Sequence, residues 1–152
     1  MEIKPLKDKP DFTKDKKIAE KYAKFEKLLN ELRGRDIPTT IVADINTEVD
    51  LLNAFMGSDK DYKKQLRKSR AAIIKQLEKE LKLVPQNYYQ STWMALGMTV
   101  FGLPFGTIFG MSLDNMAFLG IGLPIGMAIG IAIGSGMDAK AKEEGRQLAI
   151  DA

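Results

Sequence analysis

Any chemistry in this chain must come from carboxylates, amines, hydroxyls and the backbone, because its 152 residues include neither Cys nor His. That removes thiol nucleophiles, disulfides, imidazole bases and the usual zinc ligands together. The carboxylates closest to a cluster are Asp44, Glu48 and Asp50, whose spacing strings them along the polar face of an amphipathic helix. No Gly-rich phosphate loop follows a strand, so the chain is expected to be non-enzymatic, with no cofactor and no catalytic or metal-binding residue. The basic run Lys63-Lys64-Gln65-Leu66-Arg67-Lys68-Ser69-Arg70 suits phosphates, whether of nucleic acid or of anionic lipid. A formal net charge of only +3 and the lack of a binding module around the run argue against nucleic acid. A solvated helix face is the simplest reading and lipid headgroups the next.

The second feature is the placement of charge. A mean hydropathy of -0.18 and 28% charged residues describe a water-soluble chain, yet between Lys82 and Asp138 the only ionisable group normally charged is Asp114. Residues 92–112 and 116–136 are two uncharged runs of 21 residues separated by Leu113, Asp114 and Asn115. At ~1.5 Å per residue each run crosses the ~30 Å hydrocarbon core of a bilayer once. Two segments cannot close a barrel, so helices are required, and the Asp-Asn pair supplies a polar turn between them. Lys75, Lys79 and Lys82 precede the first run, Lys140, Lys142 and Arg146 follow the second, and the turn carries no basic residue. This bias predicts that both termini lie in the cytoplasm, with Tyr88, Tyr89 and Trp93 as an aromatic belt at the membrane interface. The first ten residues, with Pro5 and Pro10, offer no apolar core for a cleavable signal, so membrane delivery is expected from the C-terminal segments.

Gly102, Gly106 and Gly110 recur every fourth residue in the first run, and Gly122, Gly126, Gly130 and Gly134 do so in the second. On a helix each row is a groove without side chains that lets another backbone approach closely. Phe101, Phe105 and Phe109 form a ridge beside the first groove, and Ile121, Ile125, Ile129 and Ile133 beside the second. A further row of small residues, Ala128, Ala132 and Gly136, lies about half a turn from the second groove and is free to face a neighbouring subunit. Pro104 and Pro124 remove the amides that would bond the carbonyls of Val100 and Gly120, and are predicted kink positions. The glycine hairpin ending in Gly134-Ser135-Gly136-Met137-Asp138-Ala139-Lys140-Ala141-Lys142-Glu143-Glu144-Gly145-Arg146 resembles small bacterial glycine-zipper membrane proteins over about the last third of the chain. The resemblance implies self-association in a bacterial inner membrane. The lipoprotein members of that group carry a lipidated Cys, which is lacking here, so their outer-membrane location is not implied.

Ahead of the hairpin, Ile18, Tyr22, Phe25, Leu29 and Leu32 form one amphipathic stripe, ended by Gly34. Ile41, Ile45, Val49, Leu52 and Phe55 form a second between Pro38 and Gly57, and Tyr62, Leu66, Ile73, Leu77 and Leu81 a third. Residues 37–59 hold four acids and no base, whereas residues 60–82 hold nine bases and three acids, which favours side-by-side packing of the second and third helices. The expected architecture is all-α: a flexible tail at 1–12, a cytoplasmic three-helix bundle or helical hairpin at 13–84, an interfacial linker at 85–91, a transmembrane helical hairpin at 92–136 and a cytoplasmic C-terminal tail at 137–152. The expected function is a self-associating membrane anchor or scaffold that presents the cytoplasmic helices to a protein partner. The alternative is a homo-oligomeric, weakly selective pore gated by those helices.

Overall fold

The computed structural model describes residues 2–7 and 15–151, apart from the side chain of Met116. The chain forms two compact units, Met1–Leu83 and Val84–Ala152. The architecture is all-α with one two-stranded sheet.

The first unit is a three-helix bundle of α1 (Lys16–Arg33), α2 (Thr39–Asn53) and α3 (Asp59–Leu81). Local chemistry sets the boundaries. The Asp15 carboxylate accepts from Lys17 N–H (2.7 Å) at the start of α1, and the Ser58 hydroxyl accepts from Asp61 N–H (3.3 Å) at the start of α3. Pro38 immediately precedes α2, where a missing amide costs nothing. At the end of α3, Lys82 adopts the left-handed conformation (φ 56°) and donates its N–H back to Glu78. Lys82, singled out in the sequence among the basic residues flanking the hairpin, is the C-cap of this helix.

Helix α3 packs against both α1 and α2. Phe25, Leu28, Leu29 and Leu32 of α1, Ile45, Val49 and Leu52 of α2, and Tyr62, Leu66, Ile73 and Leu77 of α3 are buried. One polar contact across α2 and α3 runs from Gln76 to the Asp44 carboxylate. Of the basic run, Lys64, Arg67 and Lys68 are exposed.

The flexible-tail expectation at residues 1–12 needs correction. Residues 2–7 form an arm that bonds to both α1 and α2, with Ile3 and Leu6 each only 7% exposed, whereas residues 8–14 lie outside the described residues. The arm's two aliphatic side chains escape a periodicity search because a single pair makes no repeat and no helix carries them.

In the second unit, strand β1 (Val84–Gln86) leads into α4 (Tyr88–Ser112), and a turn with Asp114 at φ 48° leads through a 3-10 turn (Met116–Phe118) into α5 (Leu119–Glu143). Asn115 holds that turn, its N–H donating to Gly110 O (2.9 Å) and its side chain accepting from Ala117 N–H (3.0 Å). Gly145, at φ 68°, then turns the chain into β2 (Gln147–Asp151), which pairs in parallel with β1. The expected linker at 85–91 is thus a strand and the first turn of α4, and the expected tail at 137–152 is the end of α5 and a second strand. Antiparallel helices bring the chain back to its starting level, so the flanking segments meet there.

Tyr62 is fully buried, with its ring 5.5 Å from that of Phe55. Burial, with a smaller contribution from Tyr22, pushes the phenol up from 10.0 to about 12. The folded bundle holds this proton more tightly than the unfolded chain, so the stability it brings is complete below pH 10.0 and lost as pH rises towards about 12. Tyr62→Phe keeps the ring and removes the titrating group. Alkaline unfolding followed by circular dichroism is therefore expected to shift to higher pH in the variant; superimposable titrations would show that the phenol does not govern the transition.

Candidate functional site

The second unit has almost no side-chain core between its two long helices. Along α4 the buried residues are Gly97, Gly102, Gly106 and Gly110; along α5 they are Gly122, Gly126, Gly130, Gly134, Asp138 and Ala141. The helices meet backbone to backbone. A methyl group added to Gly106 would lie 2.7 Å from the Leu119 carbonyl oxygen, and one added to Gly134 would lie 2.5 Å from Gln90 Cα. Added at Gly126 it would strike the backbone of both Gly97 and Gly102, at Gly122 that of Gly102 and Gly106, and at Gly130 the carbonyl of Trp93. Gly122 and Gly126 therefore each seat between two glycines of α4, and Gly130 and Gly134 against the α4 backbone at Trp93–Met94 and Tyr89–Gln90, the interleaving expected when rows of fourth residues pack together.

One step of the α4 row is five residues long, from Gly97 to Gly102. The backbone there is a π-helical turn, Met98–Gly102, closed by Leu103 N–H donating to Met98 O. Pro104 follows two residues after Gly102. Its ring would press on the Val100 carbonyl in a regular helix, and a widened turn relieves that contact while adding one residue. Gly97 therefore occupies the seam position that a four-residue step assigns to Met98. Pro124, by contrast, lies inside an α5 that stays helical from end to end.

Asp138 ends the glycine row, one helical step beyond Gly134, and is 6% exposed. Its Oδ1 accepts from Tyr89 N–H (3.1 Å) and its Oδ2 from Gln90 N–H (2.9 Å). These are amides of the first turn of α4, whose N-cap residue, Asn87, is left-handed (φ 57°) and makes no side-chain capping bond. The carboxylate of α5 thus caps α4 from across the hairpin, meeting both the unsatisfied donors and the positive end of the helix dipole. Below this clamp Val84 N–H donates to Arg146 O (3.0 Å), and Val84, Ala141, Leu148 and Ile150 form a small apolar plug. Arg146 Nε donates to Glu144 Oε2 at 2.6 Å, a bond that raises the guanidinium further above its ordinary pKa. A polar cavity of about 370 Å³ opens here, lined by Gln86, Gln90, Asp138, Lys142 and Gln147 among others.

Of the remaining residues singled out in the sequence, Tyr88 and Tyr89 stack edge to face at 5.3 Å at the base of α4, and Trp93 is half-buried one turn further on. Lys140 and Lys142 are exposed in the last turn of α5. Ala128, Ala132 and Gly136 are exposed on the outside of α5, and a methyl group added to Gly136 meets nothing within 4 Å. The ridge residues also face outward, Phe105, Phe109, Ile121, Ile125 and Ile133 among them. Sequence reasoning missed Gly97 and Asp138, although Asp138 stands at the next fourth-residue step after Gly134. Comparison with known protein families, characterised proteins and solved structures returns no match for this chain.

Two substitutions probe the site. Asp138→Ala leaves two first-turn amides without their acceptor and is expected to lower the stability of the hairpin by about 1–3 kcal/mol, with Asp138→Asn in between. Faster hydrogen exchange at Tyr89 and Gln90 is the direct readout. Gly130→Ala is expected to cost about 1–3 kcal/mol by overpacking, whereas Gly120→Ala, where an added methyl group meets nothing within 4 Å, should not destabilise, in thermal unfolding of the detergent-solubilised protein. Equal effects at the two glycines would contradict the seam.

Proposed function

We propose that this chain is a non-enzymatic, two-pass membrane protein that anchors a cytoplasmic helical bundle and brings copies of it together as a scaffold. The observation that carries this reading is the perimeter of the hairpin. Two helices of 25 residues, long and apolar enough to cross a membrane, bury little against each other except glycine. Val100, Ile108 and Met111 are 57%, 57% and 73% exposed, and Leu103, Phe109, Ile121 and Ile125 join them in a continuous apolar surface. In water such a surface is a large liability; in hydrocarbon it is the solvated state. The basic flanks and a turn without Lys or Arg favour cytoplasmic termini, and the lack of a Cys to lipidate favours a bacterial inner membrane over the location of the lipoproteins in the group the hairpin resembles.

The glycine rows are occupied within the chain, so contact between copies falls to another face. Ala128, Ala132 and Gly136 offer the small residues that close helix approach requires, on the side of α5 left open. The pore reading has less support. Thr99 Oγ1 donates to Leu96 O (3.0 Å) and Thr107 Oγ1 to Leu103 O (2.8 Å), so the donor of each hydroxyl is taken up by its own helix. Asp114 is exposed in the turn, not within a span.

The absence of native Cys allows single cysteines to report topology. Asp114→Cys is expected to react with an impermeant maleimide from outside intact cells, and Lys140→Cys only after lysis. The protein should stay in the membrane pellet through an alkaline carbonate wash; recovery as a monomer from a detergent-free supernatant would defeat the reading. Reproducible conductance steps from purified protein in planar bilayers would favour the pore.

A further inference from the structure

The arm at residues 2–7 is held as a ligand is held. Asn46 of α2 brackets its backbone, accepting from Lys4 N–H (2.8 Å) and donating to Glu2 O (3.0 Å). Asn53 repeats the bracket, accepting from Lys7 N–H (2.7 Å) and donating to Pro5 O (3.2 Å). The brackets lie seven residues apart on the helix and three apart on the arm. Seven helical residues advance ~10.5 Å and three extended residues ~9–10 Å, so the two ladders share a pitch. From the other side, Arg33 of α1 donates through Nε to Ile3 O (3.2 Å) and through its terminal nitrogen to Lys4 O (3.0 Å), and the Tyr22 hydroxyl donates to Leu6 O (3.3 Å). Ile3 and Leu6 are buried, and Lys4 Nζ meets Asp50 Oδ2 at 2.6 Å. A cavity of about 530 Å³ lined by Glu2, Ile3, Leu32, Asp36 and Val42 adjoins the start of the arm.

Nearly every polar contact in this set pairs arm backbone with a groove side chain. Recognition of that kind requires an extended segment with two aliphatic residues three apart and a basic residue after the first; it does not require that the segment belong to the same molecule. Seven residues, 8–14, connect the arm to the helix cap at Asp15. At no more than ~3.6 Å per residue they allow a reach of about 25 Å, enough for an arm to leave its own bundle. A second copy of the chain carries the same arm and the same groove, so exchange creates no new contact and loses none, the condition under which swapping between copies is cheap.

We propose that the α1–α2 groove is a peptide receptor and that the arm of one copy seats in the groove of a neighbouring copy, linking bundles on the same membrane. The proposal rests on the membrane-anchored reading for the local density of copies. A tethered arm acts on its own groove at an effective concentration in the millimolar range, so exchange should grow with protein-to-lipid ratio as neighbours come to match that concentration.

The test uses full-length chains in vesicles. Groove-deficient copies (Asn46→Ala with Asn53→Ala) carry a donor dye on Glu2→Cys, and copies lacking residues 1–12 carry an acceptor on Asp36→Cys. Energy transfer severalfold above that of a pair in which both copies are groove-deficient is expected, rising with protein-to-lipid ratio. Ile3→Asp with Leu6→Asp in the donor arm, which leaves the acceptor groove intact, should abolish the excess. Transfer no greater than in the doubly groove-deficient pair overturns exchange. Flotation of the labelled copies with the vesicles reports separately on membrane anchoring. A synthetic peptide of residues 1–12 should also bind the armless chain on the order of 100-fold more tightly than the intact chain, whose own arm competes. Equal affinity for the two would overturn the groove as receptor, provided circular dichroism shows the armless chain folded.

Discussion

The direct contact of two helix backbones along the glycine seam is the constraint from which the rest of the hairpin follows. Helices at that distance leave no room for a Cβ pointing into the seam, so Gly97, Gly102, Gly106, Gly122, Gly126, Gly130 and Gly134 supply the positions where one backbone meets the other. Every larger side chain is thereby driven to the perimeter, which is why Phe105, Phe109, Ile121 and Ile125 face outward. Cohesion cannot then come from burying apolar area between the helices. It must come from close van der Waals fit and weak backbone contacts, which operate in hydrocarbon as well as in water. A hairpin of this design suits lipid, where its perimeter is solvated, and has no comparable drive to form in water.

The same constraint explains two local irregularities. A proline in α4 widens the preceding turn, and a widened turn would throw the seam out of register by one residue. The glycine at 97 instead of 98 absorbs that extra residue, so the π-helical turn and the five-residue step are one device seen in backbone and in sequence. At the base, where helix ends meet polar surroundings, the small-residue row gives way to a carboxylate. Asp138 occupies a seam position and converts packing into charge-assisted hydrogen bonding on the first turn of α4. Below it the parallel strands tie together the two segments that flank the hairpin.

What the sequence made legible divides along the same physical line. Helix periodicity, caps and glycine spacing are local signals repeated over many residues, and they located the three bundle helices and both long helices, although the second long helix runs seven residues past the expected end at 136. The arm was misjudged because two prolines and several lysines mask Ile3 and Leu6, and because its bonds go to asparagines more than 40 residues away. The strands were missed because three and five residues carry too short an alternation to stand out, and their pairing depends on the hairpin bringing them together. Gly97 was passed over because a fixed four-residue step does not anticipate the π-helical turn. Asp138 looked like the first charge after the span, whereas its partners are backbone amides that no side-chain pattern announces.

A hairpin held together by backbone contact depends on hydrocarbon around its perimeter. Collision accessibility of nitroxide labels on single cysteines in liposomes tests this directly, with labels placed on the outward positions Phe105 and Ile125. High exposure to oxygen with low exposure to a water-soluble nickel chelate at both positions is the predicted result. Labels reached freely by the nickel chelate, or shielded from both reagents as in a protein core, would contradict it.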